Sequence, residues 1–236
     1  MSAAVPLVTA LVSLLFFASL VDQQRRRPRP YRLVWALGLL LYFLASAMQT
    51  IHELATPNAT VLRLWYWAGA MLVPAYLGTG TLYLLAPRRV AHPVMALLAV
   101  LTVLGLVLLF TTTLRRPLSE LEGQALTGRG FFPGGVVAIT IVLNTYGTVA
   151  VVGGALWSAV SFWRRHTMGY RVLSNVLIAA GALVAAAGGT LDRLGIPEPH
   201  AVALLLGLVI IYVGFLRSRE VFEFPIAFLQ RRPAER

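Results

Sequence analysis

The four histidines and nine carboxylates of this 236-residue sequence are the side chains best suited to ligate a metal or move a proton near neutral pH. The four histidines separate by side. His52, Glu53, Asp192, Glu198 and His200 flank one set of chain breaks, whereas His92 and His166 lie in the opposite set beside arginines. The first five could converge at the mouth of a helical bundle as a metal or pH-sensing site. Local spacing does not support this: there is no HxxxH, HExxH or paired ExxH, and adjacent His52 and Glu53 would point about 100° apart on a helix. A bis-histidine haem would need His52 and His200 to face each other at a compatible depth. No metal site is expected, and the sequence names no cofactor.

Covalent chemistry is poorly provided for. All 20 basic residues are arginine and there is no cysteine. That excludes a retinal Schiff base, lysine catalysis, disulfides, thiolate metal sites and thiol nucleophiles. No GxSxG occurs, and the glycine pairs at 134–135, 153–154 and 188–189 precede no GK[ST], so they are not phosphate loops. The chain is expected not to be an enzyme.

What remains are uncharged polar residues inside apolar runs: Ser46, Gln49, Thr50, Asn144, Thr145, Tyr146, Ser174, Asn175 and Tyr212. Such groups hydrogen-bond between membrane helices, or orient a small ligand in a cavity. On the second reading the candidate ligand-contacting residues are Gln49, His52, Tyr76, Asn144, Tyr146 and Tyr212.

The elements that must position them are read from hydropathy. Apolar residues make up 58% and charged residues only 12%, with a mean hydropathy of +0.76, which is no soluble domain. Seven stretches are apolar enough to cross a bilayer, at about 3–21, 33–52, 64–86, 94–114, 135–163, 172–191 and 201–216. They are apolar on both faces, which excludes barrel strands and leaves helices. The expected fold is an all-α integral membrane protein, a seven-transmembrane-helix bundle over residues 1–219 with a short basic and aromatic tail at 220–236.

Fifteen of the 20 arginines fall in one set of loops and the tail, and five (Arg63, Arg115, Arg116, Arg129, Arg193) in the other. The rule that basic loops stay inside then puts the N-terminus outside and the C-terminus in the cytoplasm. The first stretch lacks a positive n-region, and its arginine cluster follows it, so a retained helix is expected rather than a cleaved signal peptide.

Small residues mark helix contacts. Ala150, Gly154 and Ser158 share one face of the fifth helix, and Gly181, Ala185 and Gly189 one face of the sixth. These helices are expected to lie backbone-to-backbone with each other or with neighbours. Pro74 removes a backbone hydrogen bond and predicts a kink in the third helix. Tyr31, Trp35, Trp65, Tyr66, Trp67, Phe131, Phe132, Trp157, Phe162 and Trp163 sit at helix ends and read as interfacial anchors, or as a pocket lining. Arginines interleaved with Phe222, Phe224 and Phe228 suit a tail lying on the inner membrane surface, or a handle for a cytoplasmic partner. Asn58-Ala59-Thr60 matches a glycosylation acceptor, a tripeptide too common to carry weight.

Two stretches resemble a known family. Leu64-Trp65-Tyr66-Trp67-Ala68-Gly69-Ala70-Met71-Leu72-Val73-Pro74, running to Leu85 and Arg88-Arg89, is similar to the third helix of the seven-transmembrane sensor region of bacterial histidine kinases. Gly195-Ile196-Pro197, then Arg217-Ser218-Arg219 and Phe224-Pro225-Ile226-Ala227, resembles that region's last helix and exit. That family continues into a coiled coil and kinase domains, which these 236 residues do not contain, so the resemblance implies output through a separate partner, or loss of signalling altogether. Microbial rhodopsins share the helix count and topology, but the missing lysine removes their chromophore attachment.

The sequence therefore supports a non-enzymatic sensor or receptor-type module in a bacterial inner membrane, the arginine-only composition being that of a high-GC bacterium. It would bind a small apolar or amphipathic ligand, or sense the bilayer, through an outer pocket near helices two, three, five and seven. Its partners would be the lipid bilayer and a cytoplasmic or membrane protein, and not nucleic acid. The alternatives are an accessory or structural subunit of a larger membrane complex, and a transporter of a neutral substrate.

Overall fold

Twenty or so apolar residues in a row nucleate a helix that flanking polar residues can prolong. The computed structural model, which describes residues 3–164, 169–196 and 199–218, shows this at most ends. Its long helices are α1 (Ala4–Arg26), α2 (Pro30–Leu54), α3 (Ala59–Leu85), α4 (Arg88–Thr111), α5 (Gly134–Arg164), α6 (Gly169–Leu194) and α7 (His200–Arg217). All seven are long and apolar enough to cross a membrane. On α4, Leu97, Val100 and Val103 are 60–63% exposed, an outward apolar surface that calls for lipid rather than water. The chain is a multi-pass membrane protein.

Six helices close a ring in the order α1, α2, α3, α5, α6, α7, with α7 packing back on α1 and α4 lying outside against α3. Local chemistry sets the turns. Pro30 occupies the first turn of α2, where its missing N–H costs nothing. Asn58 caps α3, its side-chain oxygen accepting from the Thr60 and Val61 amides at 2.8 and 3.4 Å. At the end of α6, Gly195 (φ +95°) donates to the Asp192 carbonyl and Ile196 to that of Leu191, the paired bonds of a Schellman cap.

The interruption expected at Pro74 takes the form of a π-helical segment, Tyr66–Leu72, after which α-helix resumes at Val73. There the Val73 N–H reaches back five residues to the Ala68 carbonyl. The small-residue faces pack against neighbours. A Cβ on Gly78 of α3 would stand 2.7 Å from Cα of Gly147 on α5, and Gly154 faces Thr81 and Leu85 of α3. A Cβ on Gly181 of α6 would stand 2.6 Å from the Gly207 carbonyl of α7, and Ala185 also meets Gly207. Gly189 meets nothing within 4 Å.

Residues between α4 and α5 form more than a loop. A 3-10 turn at Leu118–Leu121, left-handed Gly123 and Gly130 (φ +67° and +79°), and a bond from the Arg115 amide to the Phe131 carbonyl fold this segment into a lid. Leu121, Leu126, Phe131 and Phe132 are buried in one cluster with Leu62, Trp65 and Tyr66. This corrects part of the anchoring expectation: Phe131, Phe132, Trp65 and Tyr66 plug the bundle because the lid folds back over α3, whereas Trp157 and Trp163 do face outward. Glu198, His166 and the tail from Arg219 onward lie outside the described residues.

Candidate functional site

The ring surrounds a partly open cavity of about 330 Å³ beneath the lid. Its walls come from α2, α3, α5, α6 and α7, with Gly128, Arg129 and Gly130 of the lid across one end. Along α6 it runs from Ala182 to Arg193, about 17 Å at 1.5 Å per residue. On α3 the lining residues recur every fourth position (Trp65, Gly69, Val73, Leu77). A pure α-helix would rotate such a repeat by about 40° at each step. The π-helical segment, with more residues per turn, keeps the stripe facing inward.

Polarity is distributed unevenly. The deep walls carry Val73, Leu77, Val151, Ala182 and Ile211, while Gln49, Arg129, Asp192, Arg193 and His200 gather towards the lid. Asp192 and His200 face the same space because the Gly195 cap turns α6 into α7 within a few residues. The Trp65 ring meets the His200 ring edge-on, with centroids 6.1 Å apart. Asp192 Oδ1 and His200 Nδ1 are both buried and, among the described residues, neither has a hydrogen-bond partner. An unsatisfied buried polar atom costs about 1–3 kcal/mol, so each calls for a partner. The Arg129 guanidinium packs on Gly195, where the last carbonyls of α6 emerge.

Of the sequence candidates, Gln49 and Asn144 line the cavity. The others are engaged elsewhere. Tyr76 pairs with Thr102 of α4 and Tyr146 with Thr79 of α3, each at 3.0 Å. Tyr212 pairs with Ser19 of α1 at 2.9 Å and stacks on Phe16. His52 Nε2 donates to the Gln124 carbonyl at 3.1 Å, tying α2 to the lid. With His52 turned to the Gln124 carbonyl and His200 to the cavity, the structure does not assemble the His52–His200 haem pair. Of the four described members of the cluster of His52, Glu53, Asp192, Glu198 and His200, Asp192 and His200 line the cavity and His52 and Glu53 do not, and no metal-holding group of three exists among the described residues. Trp65 and Tyr66, for which the sequence offers pocket lining as the alternative to anchoring, do line the cavity, and so do Tyr42 and Arg129, which are not among the sequence candidates. Tyr42, whose hydroxyl donates to the Leu204 carbonyl at 2.9 Å across the ring, gave no sequence signal beyond its type.

No protein-family model, curated protein or solved structure matches this chain. Any function must be argued from the cavity itself.

Proposed function

We propose that this protein is a membrane-embedded sensor or receptor-type module that binds a small amphipathic molecule beneath the lid and acts through a separate partner. One observation carries the reading: two buried, unpartnered polar atoms, Asp192 Oδ1 and His200 Nδ1, in residues at the lid end of a largely apolar cavity. The volume of about 330 Å³ lies within the range of small-molecule sites. A carboxylate oxygen accepts, so the ligand head offers a hydroxyl or amine donor. The tail lies along Val73, Ala182 and Ile211.

The arginine distribution supports placing the lid outside and the C-terminus in the cytoplasm of a bacterial inner membrane. An activity reporter fused after residue 236 then works in the cytoplasm; periplasmic activity refutes this orientation. The resemblance to histidine-kinase sensor regions supports output through a cytoplasmic or membrane protein.

The test of the ligand is mass spectrometry of small molecules co-purifying with the wild type and with Gly189→Leu. Gly189 lines the cavity and a Cβ there meets nothing within 4 Å, so leucine is the substitution chosen to occupy the space. A small hydroxyl- or amine-headed amphiphile present in the first and depleted in the second is the expected result. Equal amounts in both, or none in either, overturns the reading.

A further inference from the structure

A second concavity, of about 450 Å³, lies at the opposite end of the bundle, between the α1–α2 turn and the end of α3. Arg27, Arg29, Arg32 and Arg88 line it with Tyr31 and Tyr83, and no carboxylate is among its lining residues. The nearby Asp22 is paired with Arg26 at 3.1 Å. Basic loops on one face are expected of any membrane protein. That rule does not gather four arginines around one hollow, nor lock one of them in place.

Arg32 is locked. One terminal nitrogen donates to the Gln23 carbonyl at 3.0 Å and to the Arg27 carbonyl, and the guanidinium lies over the Tyr31 ring at 5.4 Å. Its Nε is buried and has no partner among the described residues. Two helices also begin here, α2 at Pro30 and α4 at Arg88, and neither has a side-chain N-cap. Their positive dipole ends add to the field of the arginines. Tyr83 holds His92 Nδ1 at 2.9 Å, so its hydroxyl is already engaged.

We infer that this hollow is a binding site for a phosphate-bearing anion, seated on Arg32 and closed over by Arg88. Guanidinium groups match phosphate oxygens in paired, charge-assisted hydrogen bonds, and a preset Arg32 loses little freedom on binding. The phosphate comes from an anionic lipid headgroup or from a soluble phosphate, and the experiment separates the two.

Full-length wild type is compared with Arg88→Gln, an exposed change in the hollow, and with Arg25→Gln, an equal charge change on the same face outside it. Native mass spectrometry from mixed micelles counts retained phosphatidylglycerol against phosphatidylcholine. Thermal unfolding compares inorganic phosphate with chloride at matched ionic strength. At about 1 kcal/mol per arginine near a charged surface, Arg88→Gln retains about fivefold less of the preferred anion, and Arg25→Gln retains it as the wild type does. Selective phosphatidylglycerol retention identifies a lipid headgroup, and phosphate-specific stabilisation a soluble anion. The inference falls if the wild type shows neither, or if Arg25→Gln weakens the response as much as Arg88→Gln.

Discussion

The Asn144 side-chain amide of α5 donates to the Ala70 carbonyl of α3 at 3.1 Å. Ala70 stands four residues before Pro74, so its carbonyl is the one an α-helical residue 74 would serve if it had an N–H. A polar residue of one helix thus satisfies the acceptor that proline leaves open in another, beside the cavity that both line. Just below, Gly147 brings the α5 backbone against the Pro74 carbonyl.

Asn144→Leu should therefore destabilise the bundle by about 0.6–1.7 kcal/mol, the range for hydrogen bonds between membrane helices. In a Pro74→Ala background residue 74 regains its N–H, and the loss should shrink. Equilibrium unfolding of the four proteins measures this coupling. Equal losses in both backgrounds would show that Asn144 acts independently of the proline.

Gly147→Ala should cost about 1–3 kcal/mol, because its methyl overlaps the Pro74 carbonyl and backbone cannot swing aside as a side chain can. Gly153→Ala, on the same helix but exposed with nothing within 4 Å, should be neutral or stabilising by up to about 1 kcal/mol. The two unfolding midpoints, read side by side, check the α3–α5 contact.

His52 tethers the lid through a main-chain acceptor. His52→Ala should speed hydrogen exchange across residues 115–133 by about fivefold, the worth of one hydrogen bond. Gln124→Ala should leave it unchanged, since the acceptor is the Gln124 carbonyl. Faster exchange in both variants would point to packing rather than the tether.

Gly195 adopts φ +95° in the cap that turns Asp192 and His200 towards one space. Gly195→Ala should cost about 1 kcal/mol for the left-handed backbone alone. It should cost more when Arg129 is present, because the guanidinium occupies the place of the new methyl. The same substitution in Arg129→Ala should show only the backbone part, measurable by thermal unfolding.

Much of the fold is legible in the sequence because its cause is local. Twenty apolar residues in a row determine a span wherever they sit, and Gly181 and Ala185 advertise a close helix contact by their size. The identity of the partner is not local. Gly181 meets α7 and Gly154 meets α3, and neither choice is written in its own helix. The lid is not legible as an element because Leu121, Leu126, Phe131 and Phe132 are too few and too scattered to register until they meet Leu62 and Tyr66.

The candidate residues divide in the same way. Residue type marked Gln49, Asn144, Tyr76, Tyr146 and Tyr212 as polar groups in apolar runs, and each type has hydrogen-bonding needs that must be met. Whether a neighbour or the cavity meets them depends on rotation about the helix axis. Tyr212 turns to Ser19 and Tyr76 to Thr102, while Gln49 and Asn144 face the interior. By itself, then, the sequence determined the seven spans, the arginine asymmetry and the absence of lysine and cysteine chemistry, since these follow from composition along the chain. Only the tertiary structure decided the six-helix ring, the π-helical turn facing the cavity, and the two unpartnered atoms of Asp192 and His200. Burial and pairing belong to surfaces brought together from distant helices, and no single segment contains them.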